Sequence, residues 1–293
     1  MRYVSFTTHP DGAGKAAGGI VDSDSVRAFR SGISLDTFIA LPPPQRAEEL
    51  KALGPAVPLG AVRLVAPLHP HKNVFCVGRN YLAHAEEGAR ARGQELKLPD
   101  VPTFFTKAPT AIANPDEALE LDPTISSQYD WEAELGVVIG KRCRDVSEAD
   151  ALDVVFGYTC CNDVTARDLQ KAHVQWFKGK TLDQTCPLGP WIVAADDIGD
   201  PQALEISLTV NGIEKQRSNT KFMIFPVRTI IASLSRGLTL EPGDVIATGT
   251  PEGVGFARTP PEFLGDGDVM EIDIEKVGTL RNAVRLRAPA GVR

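Results

Sequence analysis

Few folds accommodate the run Glu132-Ala133-Glu134-Leu135-Gly136-Val137-Val138-Ile139. Side chains alternate along a strand, so Glu132 and Glu134 share one face, roughly 7 Å apart along the chain. The residues after them are apolar on both faces, which marks a strand buried on both sides. Two carboxylates on such a strand repel each other unless they are protonated or neutralised, and a divalent ion is the economical way to neutralise both. The other reading is a strand with one face in water, where Glu-x-Glu is ordinary.

A third acid favours the first reading. In Cys161-Asn162-Asp163-Val164-Thr165-Ala166-Arg167-Asp168-Leu169-Gln170, Asp163 falls at a strand-to-helix junction, as a metal ligand or as the N-cap of a helix running from Asp163 to Ala172. Arg167 and Gln170 follow one and two turns later on the same side. Three carboxylates completed by water and substrate suit Mg²⁺ or Mn²⁺, with Ca²⁺ as an alternative. Zinc prefers Cys and His.

Four other segments bear chemistry. In Cys76-Val77-Gly78-Arg79-Asn80-Tyr81-Leu82-Ala83-His84-Ala85-Glu86-Glu87, His84 and Glu87 lie three apart. On a helix the carboxylate can then hold one imidazole proton and make the other nitrogen more basic, as a water-activating pair; an exposed His beside acids is the alternative. Lys180 in Lys178-Gly179-Lys180 and Lys107 after Phe105-Thr106 offer cations, while Thr250 in Thr248-Gly249-Thr250-Pro251 offers a neutral donor to a developing oxyanion. Solvated lysines and plain turns are the alternatives. Neither the Gly-Thr-Pro loop nor Gly12-x-Gly14, which reads as a hairpin turn, has the Gly-Lys-Ser/Thr and helix of a phosphate loop.

The chain reads as β-rich. Strands are expected at 3–6, 19–21, 74–77, 103–106, 131–139, 191–194, 205–210, 244–248 and 269–274, with Asn211-Gly212 as a hairpin turn. Helices are expected at 35–41, 46–53 and 226–235, and Ser147 with Asp150 reads as a capping box opening another. Pro42-Pro43-Pro44 and Gly54-Pro55 punctuate a leading unit over residues 1–66, with a catalytic unit over 67–293. A net charge of −7, pI near 5.3 and the lack of a Lys/Arg run argue against nucleic acid as a partner. The longest apolar stretch is far below the roughly 18 residues of a membrane span. The first residues lack an export signal, and five cysteines without C-x-x-C spacing read as reduced thiols, so a cytoplasmic protein is expected.

In this order, the segments Cys76–Tyr81 with His84 and Glu87, Phe105-Thr106-Lys107, Glu132-Ala133-Glu134-Leu135, Asn162–Gln170, Lys180 and Thr248-Gly249-Thr250-Pro251 with Gly253-Val254-Gly255 resemble the fumarylacetoacetate hydrolase family over about residues 70 to 285. The resemblance implies an α+β, β-rich fold, a mixed β-sandwich or β-roll with a small N-terminal domain, commonly as a homodimer. It implies a Mg²⁺ or Mn²⁺ site at Glu132, Glu134 and Asp163. The implied reaction is hydrolysis of a carbon–carbon bond in a small 2-oxo acid such as an acylpyruvate. The ion acts as Lewis acid, His84 oriented by Glu87 activates water, and Lys180 stabilises the oxyanion. Arg167, Gln170 and Thr250, with Arg79 and Lys107, orient the substrate. Decarboxylation of oxaloacetate-like acids and isomerisation of hydroxymuconate-type dienes are alternatives at the same site. The segment between Glu87 and Phe104 is longer than in many small members. It reads as a lid in which Arg90 or Arg92 meets a distal carboxylate, or as a solvated charged loop.

Overall fold

The Ala133–Ile139 strand is buried along its whole length and lies at the centre of the molecule. The computed structural model describes residues 1–9 and 14–287; Gly12, in the turn expected between the first two strands, lies outside them. On one side Ala133–Ile139 pairs antiparallel with Val155–Asn162, on the other with Val245–Ala247. The sheet continues through Val74–Gly78, parallel to Val245–Ala247, to Thr103–Lys107 at one end. In the other direction Val155–Asn162 pairs with Cys186–Ala194, and that strand pairs with Arg2–Thr7. Ala17–Asp22, Ser25–Ala28 and Val57–Pro58 then extend the sheet to its far end. The leading segment is thus hydrogen-bonded into the sheet that carries the acids.

A second sheet of five strands packs over one face, ordered Ile213–Asn219, Glu205–Val210, Val269–Ile274, Gly278–Leu286 and Leu119–Leu121. Leu135, Val137 and Ile139 meet Ile206, Leu208 and Ile272 in the core between the sheets. Val138, of opposite parity, faces a separate cluster with Cys161, Leu188 and Ile192, closed by Tyr3, Phe29 and Phe38 of the leading segment. The fold is therefore α+β and strand-rich, and its central strand is apolar on both faces because both are covered.

Asn211 and Gly212 turn the Glu205–Val210/Ile213–Asn219 hairpin with φ of 55° and 74°. The helix expected from Asp163 begins instead at Arg167 and runs to Ala172, because Thr165 and Ala166 pair with Asp130 and Tyr129 and hold the intervening backbone extended. Asp163 is accordingly not an N-cap. Ser147 Oγ accepts the Asp150 N–H and donates to Asp150 Oδ2, but no α-helix follows: the chain goes on to a 3₁₀ turn over Ala151–Val154 whose N-cap, Asp150, makes no side-chain cap bond. All five cysteines are free, and no helix of the described residues is long and apolar enough to cross a membrane.

Gly157 sits between two paired strands, and a Cβ there would lie 2.2 Å from the Val193 carbonyl oxygen. Gly157→Ala is expected to cost about 1–3 kcal/mol through this overpacking, read as a lower urea midpoint. An unchanged midpoint would show that the strands can part there at no cost.

Candidate metal centre

The carboxylates of Glu132, Glu134 and Asp163 converge from two adjacent strand ends. One oxygen of each lies within 4.8 Å of the others, and all three residues are buried. Glu134 stands opposite Cys161 in the strand register. Glu132 precedes the regular strand, its N–H donating to Asn162 Oδ1 at 3.1 Å and its carbonyl accepting the Asp163 N–H at 3.0 Å. These two bonds tie the acids together where the ladder ends.

Cations are arranged around this cluster unequally. Lys180 Nζ donates to Glu132 Oε2 at 2.6 Å and to Asp163 Oδ2 at 2.7 Å. Lys107 Nζ donates to Asp163 Oδ1 at 2.7 Å and to the Val164 carbonyl at 3.0 Å. Arg167 reaches Glu132 Oε1 at 2.7 Å, Asp130 Oδ2 at 2.8 Å and Gln170 Oε1 at 3.1 Å. Burial opposes ionisation of Glu132, but Lys180 and Arg167 overcome it and hold that carboxyl well below the usual range. Burial likewise disfavours the Lys180 ammonium, yet Asp163 and Glu132 outweigh it and raise its pKa.

Glu134 is different. It accepts the Gly249 N–H at 2.8 Å, and among the described residues no basic side chain is bonded to it. Burial, then the charges of Asp163 and Glu132, push its carboxyl well above its ordinary value. Four buried carboxylates, counting Asp130, thus face three buried bases, with the uncompensated one inside the triad. A hard divalent cation with oxygen ligands fits this deficit, because it would neutralise the repulsion that Glu134 suffers. Glu132, Glu134 and Asp163 are the residues that would hold it.

The remaining site residues surround a cavity of about 740 Å³ that Glu132, Glu134, His84, Lys180, Arg167 and Thr250 all help to line. His84 and Glu87 stand on the Leu82–Ala91 helix, with His84 Nδ1 2.9 Å from Glu87 Oε1, and Glu87 Oε2 accepts the Gly253 N–H at 2.9 Å. Thr250 Oγ1 accepts from Gln216 Nε2 at 2.8 Å. Gln170 and Arg79 also line the cavity. Lys107 does not. Expected to orient substrate, it is fully buried with its ammonium engaged by Asp163 and Val164, so it positions a candidate ligand instead.

Sequence reasoning assigned no role to Asp130, which accepts the N–H groups of Trp131, Gly255 and Phe256 as well as Arg167 Nε. Its signal was its parity with Glu132 and Glu134, two and four residues on. Gln216 was also missed. It donates to Thr250 and the Pro251 carbonyl and accepts the Ala133 N–H, so it joins the second sheet to both sides of the site. Its neighbours Glu214, Lys215 and Arg217 read as a solvated strand, and nothing local marks it.

The family description "Fumarylacetoacetate (FAA) hydrolase C-terminal" matches residues 73–285. The chain belongs to this family. It is 47% identical over 227 residues to the oxaloacetate tautomerase YisK of Bacillus subtilis (strain 168), covering 77% of this chain and 74% of that one. It is 42% identical over 273 residues to the 2,4-didehydro-3-deoxy-L-rhamnonate hydrolase of Sphingomonas sp. (strain SKA58), covering 92% and 93%. Among solved structures it resembles the fumarylacetoacetate hydrolase from psychrophilic Exiguobacterium antarcticum, with a TM-score of 0.83, 41% identity and coverage of 98% of this chain and 100% of that one.

If the triad holds a divalent ion, Mn²⁺ at about 100 times its Kd should stabilise the protein by about 2.7 kcal/mol. Glu134→Gln is expected to abolish this shift. The metal-free melting temperature of the variant should match or exceed that of the parent, because a buried repulsion is removed. Thermal scans with Mn²⁺ and with EDTA check both points; a variant that keeps the shift would remove Glu134 from the ligand set.

Proposed function

We propose that the chain is a divalent-metal-dependent hydrolase that cleaves a carbon–carbon bond in 2,4-dioxo acids of the acylpyruvate class. The observation that carries this reading is His84, bonded to Glu87 and lining the same cavity as Glu132, Glu134 and Lys180. Likeness to a 2,4-didehydro-3-deoxy-L-rhamnonate hydrolase over nearly the whole chain supports it. Mg²⁺ or Mn²⁺ as the ion, a cytoplasmic setting and a homodimer belong to the same proposal.

A divalent ion on Glu132, Glu134 and Asp163 would supply Lewis acidity toward the 2-oxo acid end of the substrate. With Nδ1 held by Glu87, His84 presents Nε2 as the acceptor and takes a proton from water as the water oxygen bonds to the C4 carbonyl carbon. Two of the three Lys180 protons are committed to Glu132 and Asp163, which leaves one for the oxygen that gains charge. Thr250, accepting from Gln216, keeps its own proton to donate into the cavity. Arg167 and Gln170 hold each other at the cavity wall. When the C3–C4 bond breaks, its electron pair passes to C3, which receives the proton that His84 took. The products are a carboxylic acid and pyruvate.

A second reading is favoured by the 47% identity to an oxaloacetate tautomerase. The same pair would then move a proton between C3 and the 2-oxo oxygen, with no water consumed.

Mass spectrometry of products from acetylpyruvate and oxaloacetate, each with Mg²⁺, separates the two. Release of pyruvate and acetate with loss of activity in EDTA is the expected result. His84→Asn and Glu87→Gln should each lower kcat by about 10²–10⁴-fold, the usual worth of a positioned acid–base group. Intact acetylpyruvate, with enol–keto exchange of oxaloacetate accelerated in the ultraviolet, would establish the tautomerase reading instead.

A further inference from the structure

Part of the cavity wall is aromatic. Phe105, Trp176, Phe256 and Phe263 line it, all of them half-buried, and the chemistry above uses none of them. Half-buried rings gathered on one cavity are apolar surface offered to a ligand. Two of them are placed by the strand pairing. Phe105 lies two residues before Lys107 on Thr103–Lys107, so its side chain leaves the sheet on the face from which Lys107 meets Asp163. Its partner on the neighbouring strand is Cys76, which makes Gly78 its diagonal neighbour on that face. Trp176 occupies the space above Gly78. A Cβ on that glycine would lie 2.4 Å from the indole, although the backbone there would admit a side chain. Phe105 and Trp176 then meet edge to face with their ring centres 5.5 Å apart.

Trp176 is also tied to Lys180. Its carbonyl accepts the Lys180 N–H at 3.1 Å, so the two residues stand one helical turn apart. The Lys180 ammonium lies 5.0 Å from the centre of the Phe105 ring. Lys180 is the donor assigned to the C4 oxygen, so the group that C4 carries beyond the reacting bond leaves beside Phe105 and runs toward Trp176. The Arg79 guanidinium comes after the indole, its Cζ 5.7 Å from that ring. A flat apolar arm would replace water on both rings and gain edge or face contacts with them. A charged arm would have to shed its water against hydrocarbon before it reached Arg79.

We infer that Phe105 and Trp176 form a subsite for a flat, uncharged arm on C4, so that the enzyme acts on 2,4-dioxo acids whose acyl group is an aryl group. The inference rests on reading the cavity as a 2-oxo acid site with Lys180 at C4. The bond-breaking chemistry is unchanged, and the two rings set which acyl arm is accepted.

Calorimetric titration of the Mn²⁺-loaded protein with three acids that differ only in what C4 carries tests it. These are 2-oxobutanoate, with hydrogen there, 2-oxo-4-phenylbutanoate, with a phenyl group, and 2-oxoglutarate, with a carboxylate. The phenyl acid is expected to bind at least roughly tenfold more tightly than either of the others, as for burial of one ring. In Trp176→Ala its advantage over 2-oxobutanoate should fall to within about threefold. Binding of 2-oxobutanoate shows that the head-group site of the variant is intact. Should that be lost, Trp176→Phe, which keeps a smaller ring, is expected to show an advantage below that of the parent. Equal affinities for the phenyl acid and 2-oxobutanoate in the parent would overturn the subsite while leaving the 2-oxo acid reading intact, and so would tighter binding of 2-oxoglutarate than of the phenyl acid. An undiminished phenyl advantage in the variant would overturn the assignment to this wall. If none of the three acids binds, the 2-oxo acid reading fails and this inference fails with it.

Discussion

A buried carboxylate without a cation is costly, and the Ala133–Ile139 strand places one, Glu134, at the centre of the molecule. The surrounding architecture answers that cost. Lys180 and Lys107 share Asp163 between them, Arg167 bridges Asp130 and Glu132, and a backbone N–H reaches Glu134 from the Thr248–Thr250 loop. Each of these partners comes from a different part of the chain, so the two sheets and the loops at their ends must be in place together. The deficit that remains is local, one negative charge at Glu134 beside two other carboxylates, and it lies where a hard cation would find three oxygen ligands.

The same network sets what the cavity offers a ligand. Lys180 and Thr250 are each held by other residues but retain a donor, so their direction is settled before any substrate arrives. Asp130 performs a related task one step further out. It ties the N–H groups of Gly255 and Phe256 to Arg167, and the same loop reaches the helix that carries His84 through the Gly253 N–H on Glu87. Preorganised donors of this kind act without reorganising during reaction, which is where their electrostatic contribution comes from.

The parts of the site that were readable in the sequence are those whose geometry is local. Glu132 and Glu134 are paired by strand alternation, His84 and Glu87 by a helical turn, and Asn211-Gly212 by turn chemistry. The positions of Lys107, Asp130 and Gln216 depend on partners 56, 37 and 83 residues away respectively, at Asp163, Arg167 and Ala133, and no local pattern encodes such distances. The helix expected from Asp163 failed for a tertiary reason, since pairing of Thr165 and Ala166 with the 129–130 segment overrode the capping preference of an aspartate. The β-rich class was legible from short, turn-bounded runs. That the leading segment would share a sheet with the acids was not, because its strands carry no mark of their neighbour.

That shared sheet bears on how the chain can be divided. Arg2 and Tyr3 pair with Val193 and Ile192, and Tyr3, Phe29 and Phe38 cover the apolar cluster that includes Leu188. A fragment beginning at residue 73, where the family match starts, would leave the Cys186–Ala194 strand with open amides and carbonyls beside a bare greasy face. Such a surface recruits foreign strands. The leading segment therefore caps a strand edge and an apolar face that the rest of the chain would leave open.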